Sequence, residues 1–591
     1  MAKRIAVIDR EKCTKASCGY QCVRVCPVNR MGKECVTQDD EGFPVISEDL
    51  CTGCGICPKK CPTNCIKVIN LAAEEGKLVH QYGANSFRLY NLPLPKAGAV
   101  VGLIGQNGIG KTTALAILGG KLKPNLGDWK GKKPGWERII GEFRGHEVQN
   151  HFEALAKGEA TISLKPQNVD RIPDVYSGKV KALLKRADGR KKLAEAVEAF
   201  DLAGILERDI SQLSGGELQR VAICAAYLRD AGTYYFDEPT SYLDISQRLR
   251  VAVKLKSLAA DEGKSVMVVE HDLAALDYLS DYVTIFYGVK GAYGVVSGLK
   301  GARNGINEYL DGFLREENTR IREYPIRFSG TSEVERTSRP FFDYGAMQKK
   351  YSGFQLSCEG GEVRKGEIIG IVGENAIGKT TFVKLLAGAE APDDGEPPAK
   401  LAVSYKPQYV KSDFKGSVAE LIDESGVDRE LFETELRVRM EIGELMEKTV
   451  KRLSGGELQR VAIALALARD ADLYLLDEPS AFLDIEQRLN FAAALKRVVE
   501  AREKTAFVVD HDVVLVDAVS SRLCVFEGTP SVSGRAGAPE EKRSGMNRFL
   551  KNVGVTLRRD AESRRPRINK PGSRMDEEQK QAGEYYYYEK E

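Results

Sequence analysis

The sequence predicts an α/β protein in which two P-loop nucleotide-binding domains follow one another behind a small cysteine-rich domain. Three observations predict this arrangement. The stretch LSGGELQRVAI occurs at Leu213 to Ile223 and again at Leu453 to Ile463. GQNGIGKT (105–112) and GENAIGKT (373–380) both fit G-x-x-x-x-G-K-[ST], each after an apolar run and before a helical pattern. Ten of the 13 cysteines lie before position 66.

The size and charge of the chain restrict the possible classes of protein. Its 591 residues suffice for three or four domains, each with its own core. The net charge of +2 gives no sign of an overall affinity for nucleic acid, although a balanced total can hide local basic patches. No apolar run approaches the roughly 20 residues of a membrane span, and the N-terminal MAKRIAVIDREKC lacks the apolar core of a signal peptide. We therefore expect a cytoplasmic protein without a membrane partner, and we expect a monomer.

Residues 1–75 are predicted to form a ferredoxin-like α+β domain with two 4Fe-4S clusters. The run C-x2-C-x2-C-x3-C-P from Cys51 to Pro62 is that of bacterial-type ferredoxins, in which three thiolates hold one cluster and the fourth reaches the other. A looser run, C-x4-C-x3-C-x3-C-P, extends from Cys13 to Pro27. By this logic one cluster is held by Cys51, Cys54, Cys57 and Cys26, and the other by Cys13, Cys18, Cys22 and Cys61.

Zinc is the alternative for these cysteines, because it also accepts four thiolates. Zinc sites usually show paired C-x2-C knuckles without Cys-Pro endings, so the spacing favours the clusters. Cys35 and Cys65 fall outside both runs and are expected to be bystanders. Two roles for the clusters stay open, namely carrying electrons or forming the core of a rigid folded block. The sequence offers no flavin or other electron-acceptor motif beside them.

Residues 76–290 are predicted to form the first nucleotide-binding domain. Lys111 should reach the β- and γ-phosphates of a nucleotide, and Thr112 should ligate Mg²⁺. The run TYYFD (233–237) indicates a buried strand that ends in a carboxylate on the Mg²⁺ side, Asp237. The following Glu238 can orient or activate the attacking water. The phosphate oxygens are expected to contact Gly105, Asn107, Gly108, Gly110 and Thr113.

Two further polar residues of the first domain are candidates for sensing the γ-phosphate. Gln167, in the segment LKPQ, can contact the γ-phosphate and the metal ion, and His271 follows the apolar strand SVMVVE. Taken alone, a histidine after a strand is more often a structural residue with satisfied hydrogen bonds. However, His511 lies at the same offset in the second repeat, in a chain with only five histidines. The repetition favours a catalytic role for both.

Residues 346–530 are predicted to form the second nucleotide-binding domain, with each role repeated. From Ser214 to Asp237 and from Ser454 to Asp477 the separation is the same. The repeated residues are Lys379, Thr380, Gln408, Asp477, Glu478 and His511, and the phosphate contacts are Gly373, Asn375, Gly378 and Thr381. Ala376 replaces the glycine found at Gly108, which indicates that the two sites differ in closure or rate.

The repeated LSGGE stretch suits a helix N-terminus that binds an anion. Ser214 and Ser454 can cap the helix, and the glycines let bare backbone N–H groups approach a phosphate. The candidate phosphate contacts of this stretch are Ser214, Gly215, Gly216 and Glu217 in the first copy and Ser454, Gly455, Gly456 and Glu457 in the second.

The first domain carries an insertion at about 124–157. Between the P-loop lysine and the later glutamine the first copy has 56 positions, from Lys111 to Gln167, and the second has 29, from Lys379 to Gln408. The insertion is expected to be a helix-loop-helix. It contains both tryptophans of the chain, Trp129 and Trp136. Basic residues lie beside them in the sequence, namely Lys130, Lys132, Lys133, Arg138 and Arg144. Two interpretations stay open: a surface element whose tryptophans pack on its own helices, or a docking element for RNA or a partner.

Residues 291–345 are expected to form a connector along the seam between the two domains, and 531–591 a basic C-terminal tail. Basic residues of the tail are Lys551, Arg558, Arg559, Arg564, Arg565, Arg567, Lys570 and Arg574. A run of charge is usually a solvated face. The competing interpretation is a contact with a phosphate backbone, which would be sensitive to salt and indifferent to sequence.

Both repeats carry a P-loop, an LSGGE stretch, a DEP motif and a following histidine. Together these motifs resemble those of the ATP-binding cassette (ABC) superfamily. The resemblance implies that the cassettes lie head to tail, so that each ATP is held between the P-loop of one and the LSGGE of the other. Site one would then join Lys111, Gln167, Asp237, Glu238 and His271 with Ser454, Gly455 and Gly456; site two would join Lys379, Gln408, Asp477, Glu478 and His511 with Ser214, Gly215 and Gly216. It also implies that adenine stacks on an upstream aromatic ring, either Tyr82 or Phe87 in the first cassette and either Tyr351 or Phe354 in the second.

Over essentially the whole chain, the order of iron-sulfur domain, cassette with insertion, Arg-rich connector, second cassette and RRPRINKPGS tail resembles the E subfamily of ABC proteins, also described as the RNase L inhibitor family. This resemblance implies an ATP-driven clamp that splits ribosomes into subunits after termination or rescue. The implied partners are the ribosome, through its small subunit and rRNA, the release factor or its rescue relative, and initiation factors. The iron-sulfur domain would be the part that moves.

Two other functions compete with ribosome splitting. The ATPase subunit of a membrane transporter would explain the cassettes but has no evident use for the clusters. An ATP-coupled iron-sulfur redox protein would explain clusters and ATP together, but it needs an acceptor site, for which the sequence shows no motif.

Overall fold

The computed structural model describes residues 3–71, 76–131, 133–328, 339–396, 401–408 and 413–587. The chain folds into a cysteine-rich domain, two α/β cassettes, a connector between them and a C-terminal tail. Lys132 of the insertion lies outside the described residues. Within the described ranges, no helix has the length and apolar character needed to cross a membrane.

The cysteine-rich domain is built from two antiparallel strand pairs and three short helices. Its elements are β1 (Lys3–Ile8), α1 (Gln21–Val25), α2 (Pro27–Arg30), β2 (Val36–Gln38), β3 (Pro44–Ile46), α3 (Ile56–Lys60) and β4 (Ile66–Leu71). β1 pairs with β4, and β2 with β3. Successive side chains of a strand point to opposite faces: Ala6 and Ile8 pack among the cysteines, whereas Ile5 and Val7 pack against the first cassette. β1 therefore joins the cysteine core to that cassette.

The first cassette is built on an eight-stranded sheet. Its elements are β5 (Leu78–Gln81), β6 (Arg88–Tyr90), β7 (Val100–Ile104), α4 (Lys111–Leu118), α5 (Trp136–Glu142), α6 (Val148–Lys157), β8 (Ile162–Lys165), α7 (Ile172–Val175), α8 (Val180–Ala187), α9 (Leu193–Ala199), α10 (Gly215–Leu228), β9 (Thr233–Asp237), α11 (Ile245–Ala260), β10 (Ser265–Val269), α12 (Leu273–Leu279), β11 (Tyr282–Val289) and β12 (Tyr293–Gly301). The strand order is β5-β6-β12-β11-β7-β10-β9-β8.

The parallel part of this sheet positions the candidate residues. β8, β9, β10, β7 and β11 run parallel, and every residue of β7 is buried, as expected for a parallel strand covered on both faces. In such sheets ligands bind beyond the carboxyl ends of the strands. The P-loop follows β7, Glu238 follows β9 and Gln167 follows β8, so all three lie at this edge.

The connector joins the cassettes, and the second cassette repeats the first. The connector contains α13 (Ala302–Asp311), β13 (Phe313–Leu314) and β14 (Thr319–Arg320). The second cassette contains β15 (Pro340–Tyr344), β16 (Met347–Tyr351), β17 (Phe354–Cys358), β18 (Gly361–Arg364), β19 (Ile368–Val372), α14 (Lys379–Leu386), β20 (Val403–Lys406), α15 (Val418–Glu424), α16 (Arg429–Leu431), α17 (Gly455–Ala468), β21 (Leu473–Asp477), α18 (Ile485–Ala501), β22 (Thr505–Val509), α19 (Val513–Val519), β23 (Arg522–Thr529) and β24 (Ser533–Ala536). The order β16-β17-β24-β23-β19-β22-β21-β20 reproduces that of the first sheet.

The two tryptophans of the insertion differ in their surroundings. Trp136, at the start of α5, lies with its ring centre 6.2 Å from that of Phe152 on α6. Trp129 is 37% exposed, and the Nζ of Lys130 lies 4.9 Å from its ring centre. Lys130, Lys133, Arg138 and Arg144 are exposed. One tryptophan therefore holds the helices together, and the other lies on a basic surface.

The C-terminal tail braces the two cassettes. Its elements are β25 (Glu540–Glu541), α20 (Lys542–Val553), β26 (Leu557–Arg559), β27 (Pro566–Ile568) and α21 (Arg574–Ala582). Leu557 and Ile568 share one hydrophobic core with Leu276 of α12 and Val516 of α19. Apolar side chains of both cassettes and of the tail are therefore buried together.

Part of the basic run in the tail is internal. The side chain of Arg565 is fully buried, with its Nη1 3.2 Å from Oδ2 of Asp277 on α12. Arg567 donates hydrogen bonds to Asp277 and lies 3.2 Å from Asp560. For these two arginines both expectations, the solvated face and the phosphate contact, are wrong, because the carboxylate of the first cassette already pairs with them. Lys551, Arg564, Lys570 and Arg574 are exposed.

Candidate active site

Each P-loop places a lysine at the start of a helix. Gly110 precedes α4 with φ of +100°, and a Cβ at that position would lie 2.8 Å from the ring of Phe87, so only glycine fits. The Nζ of Lys111 donates hydrogen bonds to the carbonyl oxygens of Gly105 and Gln106 at 2.6 and 2.7 Å. Burial lowers the pKa of Lys111 to about 8. A bound phosphate would oppose this shift, because its negative charge favours the ammonium form.

The second P-loop has the same geometry with one local difference. Gly378 has φ of +95°, and Lys379 donates to the carbonyl oxygens of Gly373 and Glu374. Ala376, the substitution noted in the sequence, has φ of +58°. An alanine in this left-handed region costs roughly 1–2 kcal/mol relative to glycine. The second loop is thus the more strained of the two.

A buried aspartate faces each P-loop hydroxyl. Thr112 Oγ1 donates to Oδ2 of Asp237 at 3.2 Å. In the second cassette both carboxylate oxygens of Asp477 are buried without a hydrogen-bond partner among the described residues. Burial, followed by the neighbouring Glu478, raises the pKa of Asp477 to about 6. Buried oxygen ligands beside a threonine hydroxyl fit Mg²⁺, which binds proteins through one or two carboxylates and keeps its other positions for phosphate and water.

A glutamate with a strained backbone follows each aspartate. Glu238 and Glu478 both have φ of +47°, a region that non-glycine residues occupy mainly where surrounding structure imposes it. Gln167 donates to Oε1 of Glu238 at 2.7 Å, and Gln408 does the same for Glu478 at 2.7 Å. Burial, followed by the charge of the adjacent Asp237, raises the pKa of Glu238. The carboxylates are thus held where a general base would act on water.

A buried histidine approaches each glutamate. His271 Nε2 lies 3.7 Å from Glu238 Oε1, and His511 Nε2 lies 3.4 Å from Glu478 Oε1. Burial lowers the pKa of His271 well below its usual value, so the ring is neutral at pH 7. Both of its ring nitrogens are buried without a hydrogen-bond partner among the described residues. A neutral histidine with free nitrogens is able to hydrogen-bond a phosphate oxygen or an attacking water.

Two further pairs of residues, absent from the sequence predictions, hold the backbone of the glutamates. Lys165 donates to the carbonyl oxygens of Asp237 and Glu238 at 2.8 and 3.1 Å. Gln219, in the LSGGELQ stretch, donates to the carbonyl oxygen of Glu238 at 2.6 Å. Lys406 and Gln459 make the same contacts in the second cassette. The exact repetition of these residues between the cassettes was the signal that could have found them.

The LSGGE stretch of each cassette faces the P-loop of the other. Ser454 and Glu457 form a capping box at the start of α17, as do Ser214 and Glu217 at α10. A Cβ on Gly456 would lie 4.0 Å from Nδ2 of Asn107, in the first P-loop. In the other half, a Cβ on Gly216 would lie 3.9 Å from Nδ2 of Asn375. A glycine of each signature stretch therefore lies against the P-loop asparagine of the opposite cassette.

An aspartate that sequence reasoning missed ties each P-loop to the opposite cassette. The backbone N–H of Asn107 donates to Oδ2 of Asp484 at 3.0 Å, and that of Asn375 donates to Oδ2 of Asp244 at 2.9 Å. The rings of Tyr242 and Phe482 meet between these contacts, 5.7 Å apart. The repeated Leu-Asp-Ile after each DEP motif was the sequence signal.

The two halves of the seam are not identical. At site one, Glu486 accepts hydrogen bonds from Gln106 Nε2 of the P-loop at 2.6 Å and from Arg322 Nε of the connector at 2.8 Å. At site two the corresponding contact is between Ser246 and Glu374 at 3.3 Å. The connector thus reaches site one through Glu486.

The cysteines gather around two cavities, in the grouping expected from the sequence. One cavity is lined by Cys26, Cys51, Cys54 and Cys57 together with Cys35. The other is lined by Cys13, Cys18, Cys22 and Cys61 together with Cys65. Zinc would need its ligands to converge at about 2.3 Å on one point. In the part of the chain that the structure describes, no three His, Cys, Asp or Glu residues form such a group for one metal ion. Space lined by at least four thiols suits a larger inorganic cluster.

Comparison with known proteins agrees with this architecture. Residues 92–241 and 360–481 match the family model described as ABC transporter, 4–34 the possible Fer4-like domain in RNase L inhibitor, and 44–67 the 4Fe-4S binding domain. Translation initiation factor RLI1 of Saccharomyces cerevisiae is 45% identical over 99% of this chain and 98% of its own length. The archaeal ribosome recycling factor aABCE1, solved in complex with the ribosomal stalk protein aP1, is 53% identical, with a TM-score of 0.82 over 88% of this chain and 100% of that chain. In a model of ribosome-bound archaeal Pelota and ABCE1, the matching chain is 53% identical, with a TM-score of 0.94 and full coverage of both chains.

The chain belongs to the ABCE1 family of ABC ATPases. Membership in the ABCE1 family, which includes the RNase L inhibitor, confirms the predicted fold of two tandem cassettes behind an iron-sulfur domain. It confirms an ATPase that uses ATP and Mg²⁺, and 4Fe-4S binding by the N-terminal domain.

In this ABCE1-family chain the aromatic candidates for adenine stacking separate into two types. Phe87 and Phe354 pack beneath P-loop glycines, since a Cβ on Gly110 or Gly378 would lie 2.8 or 3.1 Å from their rings. Tyr82 is 56% exposed, and its hydroxyl lies 3.1 Å from Oγ1 of Thr113. Tyr351 is also exposed. The exposed rings are the ones available to a base.

Besides the packing of β1, a loop between β5 and β6 fastens the iron-sulfur domain of this ABCE1-family chain to the first cassette. Asn85, between β5 and β6, donates from Nδ2 to the carbonyl oxygens of Ala6 and Ile46, both at 3.0 Å, and accepts from Ile46 N at 2.8 Å. Nη2 of Arg88 donates to both carboxylate oxygens of Glu48, at 2.8 and 2.9 Å. The same loop carries Tyr82 and Phe87 on the side of the P-loop.

Proposed function

We propose that the chain is a ribosome-splitting ATPase of the cytoplasm, in which ATP binding closes two composite sites and hydrolysis reopens them. The observation that carries this proposal is the seam, where each P-loop meets the LSGGE stretch and an aspartate of the opposite cassette. It is supported by 53% sequence identity over the full length to the ABCE1 chain bound to the ribosome with Pelota. A chain described as a ribosome recycling factor is also 53% identical, over 88% of this chain.

The proposed role of each side chain follows from its position relative to the P-loop. Lys111 binds the β- and γ-phosphates, and Glu238 accepts a proton from the attacking water. His271 hydrogen-bonds the γ-phosphate or that water, and Gln167 keeps Glu238 oriented. Lys379, Glu478, His511 and Gln408 take these roles at site two.

Signature residues complete each site from the opposite cassette. The N–H groups at the start of α17, with Ser454 as the cap, bind the γ-phosphate of the ATP at site one, and α10 with Ser214 does so at site two. Because the γ-phosphate then touches both cassettes, ATP binds the closed arrangement more tightly than the open one. Loss of the γ-phosphate removes this link.

Mg²⁺ would be held at site one by Thr112, Asp237 and Gln167 and at site two by Thr380, Asp477 and Gln408. When bound, the ion neutralises charge that develops on the phosphates. Adenine stacks on Tyr82 at site one and on Tyr351 at site two, because these rings are exposed beside the P-loop helices.

The N-terminal domain, residues 1–75, holds two 4Fe-4S clusters, one per cavity. The two cassettes comprise residues 76–290 and 346–530, the connector comprises 291–345 and the tail comprises 531–591. The clusters serve as a structural core, and the domain moves as a rigid block on the first cassette. The Asn85 loop transmits closure of site one to that block, since it touches both.

Membership in the ABCE1 family and the exposed basic surface of the insertion indicate the partners of this chain. The insertion contacts the small subunit through Trp129 and its exposed basic residues, and the release factor or its rescue relative occupies the ribosome beside the iron-sulfur domain. Initiation factors bind afterwards, and the chain acts as a monomer. Phosphate contacts by the insertion would weaken steeply as salt rises.

Sucrose-gradient sedimentation tests the function. Purified ribosomes are mixed with the protein, ATP and a release factor, and subunits are separated from intact ribosomes. We expect splitting by the wild type and by Lys121→Ala, which removes an exposed lysine beyond α4. Lys111→Ala with Lys379→Ala should leave the ribosomes intact, and so should Cys54→Ser. Intact ribosomes with the wild type at every salt concentration would refute the proposal.

A further inference from the structure

Each cysteine cavity is lined by five thiols, one more than a 4Fe-4S cluster requires. The additional thiols are those of Cys35 and Cys65. They occupy equivalent places, because Cys35 directly precedes β2 and Cys65 directly precedes β4. The carbonyl oxygen of Cys35 accepts from Ser47 N at 2.7 Å, and that of Cys65 accepts from Asp9 N at 2.8 Å. Both residues therefore line a cavity, although they lie outside the ligand runs of the sequence and were expected to be bystanders.

Both additional thiols lie beside candidate cluster ligands. The thiol of Cys35 lies 3.9 Å from the carbonyl oxygen of Ser47 and also contacts the thiols of Cys26 and Cys51. The Sγ of Cys65 lies 3.4 Å from the Sγ of Cys61, the ligand that reaches the second cavity from the other cysteine run. Cys65 is 4% exposed, so its thiol is directed inward, toward the cavity and not toward solvent.

The distance between Cys61 and Cys65 suits two ligands of one iron atom. A metal–thiolate bond of about 2.3 Å in tetrahedral geometry separates neighbouring sulfur atoms by about 3.8 Å. The observed 3.4 Å is close to this separation. An iron atom within reach of Cys61 is therefore within reach of Cys65 after a shift of a few tenths of an ångström.

We propose that Cys65 is a reserve ligand of the second cluster, able to replace Cys61 on the same iron. In the exchange the bond from iron to Cys61 Sγ breaks and a bond from iron to Cys65 Sγ forms. The proton of the Cys65 thiol passes to the released Cys61 thiolate, and no electron is transferred. The cluster is thereby retained when Cys61 is modified or displaced as the domain moves. This proposal rests on the proposed presence of a second cluster.

Iron and acid-labile sulfide per chain, with the EPR spectrum of the reduced protein, test the proposal. Two clusters give about eight iron atoms and one gives about four. We expect about eight for the wild type, for Cys65→Ala and for Cys61→Ala, the last with an altered EPR spectrum. We expect about four for Cys61→Ala with Cys65→Ala. The control is Cys22→Ala, which removes another ligand of the same cavity and should also leave about four.

The outcomes separate the proposal from its premise. The four iron atoms that remain in the first cavity show that a variant domain is still folded. If Cys61→Ala alone falls to about four, the reserve ligand is refuted while the second cluster stands. If Cys22→Ala keeps about eight, thiols of this cavity are dispensable in general and the assignment to Cys65 is refuted. If the wild type holds only about four, the second cluster and the reserve ligand both fail.

Discussion

Removing the side chain of Asn85 should loosen the iron-sulfur domain from the first cassette. Asn85 is 5% exposed, and its amide makes three hydrogen bonds to Ala6 and Ile46 of that domain. Its φ is +47°, so glycine is the substitution that removes the side chain without backbone strain. At about 1 kcal/mol for each hydrogen bond, Asn85→Gly should cost about 3 kcal/mol of docking free energy. This corresponds to a roughly hundred-fold change in the docking equilibrium.

Amide hydrogen exchange measures this change directly. The N–H of Ile8 donates to the backbone carbonyl of Asn85 at 2.9 Å, a hydrogen bond that the substitution leaves in place. Its exchange therefore reports undocking and not the loss of the side chain itself. We expect Ile8 to exchange on the order of a hundred-fold faster in Asn85→Gly.

The control is a half-buried asparagine that also has positive φ. Asn91 has φ of +58°, and its side chain bonds Lys77 N and Val296 O, both within the first cassette. Asn91→Gly should leave exchange at Ile8 unchanged. If Asn85→Gly also leaves Ile8 unchanged, the loop does not fasten the domain and the proposed transmission through it is refuted.

Two further predictions concern the seam and the tail. Arg322→Ala removes the connector's hydrogen bond to Glu486 at site one. In a Glu478→Gln background, where only site one hydrolyses ATP, this substitution should lower ATP turnover several-fold. Phosphate release equal to that of the Glu478→Gln protein would contradict this expectation. Asp277→Asn leaves the buried Arg565 without its ion-pair partner and leaves Arg567 with Asp560 alone, a loss of about 3–5 kcal/mol. It should lower the first calorimetric transition by on the order of 10 °C. Asp311→Asn, at an exposed ion pair, is its control, and equal transitions in the two variants would show that the tail does not brace the cassettes.

The repeats made most of the fold predictable. Two copies of one motif set, in the same order and with the same spacing, specified the parallel sheets and placed Lys111 and Asp237 at the same edge. The cysteine runs predicted the 4Fe-4S domain, because the ferredoxin pattern records which thiolates share a cluster. These features depend on local spacing, which a sequence displays directly.

Contacts between distant segments were not predictable in the same way. Asp484 meets the P-loop near Asn107 across the seam, and no local pattern shows which surfaces of two cassettes touch. Arg565 has the sequence context of a solvated basic run, yet it is buried because Asp277, far away in the chain, supplies the opposing charge. In each case the partner was set by tertiary packing.

The central claim is that ATP binding, by closing both composite sites, performs the splitting, and that hydrolysis serves only to reopen the clamp. Light scattering of ribosomes after rapid mixing with Glu238→Gln/Glu478→Gln protein, ATP and a release factor tests it most directly. Loss of a general base should slow hydrolysis at its own site by about 10²–10⁴-fold, so the double variant is slowed at both sites. The account predicts one round of splitting at the wild-type rate, after which the variant stays bound to small subunits with its ATP intact. Unchanged scattering with ATP bound, or normal ATP turnover by the double variant, would contradict it.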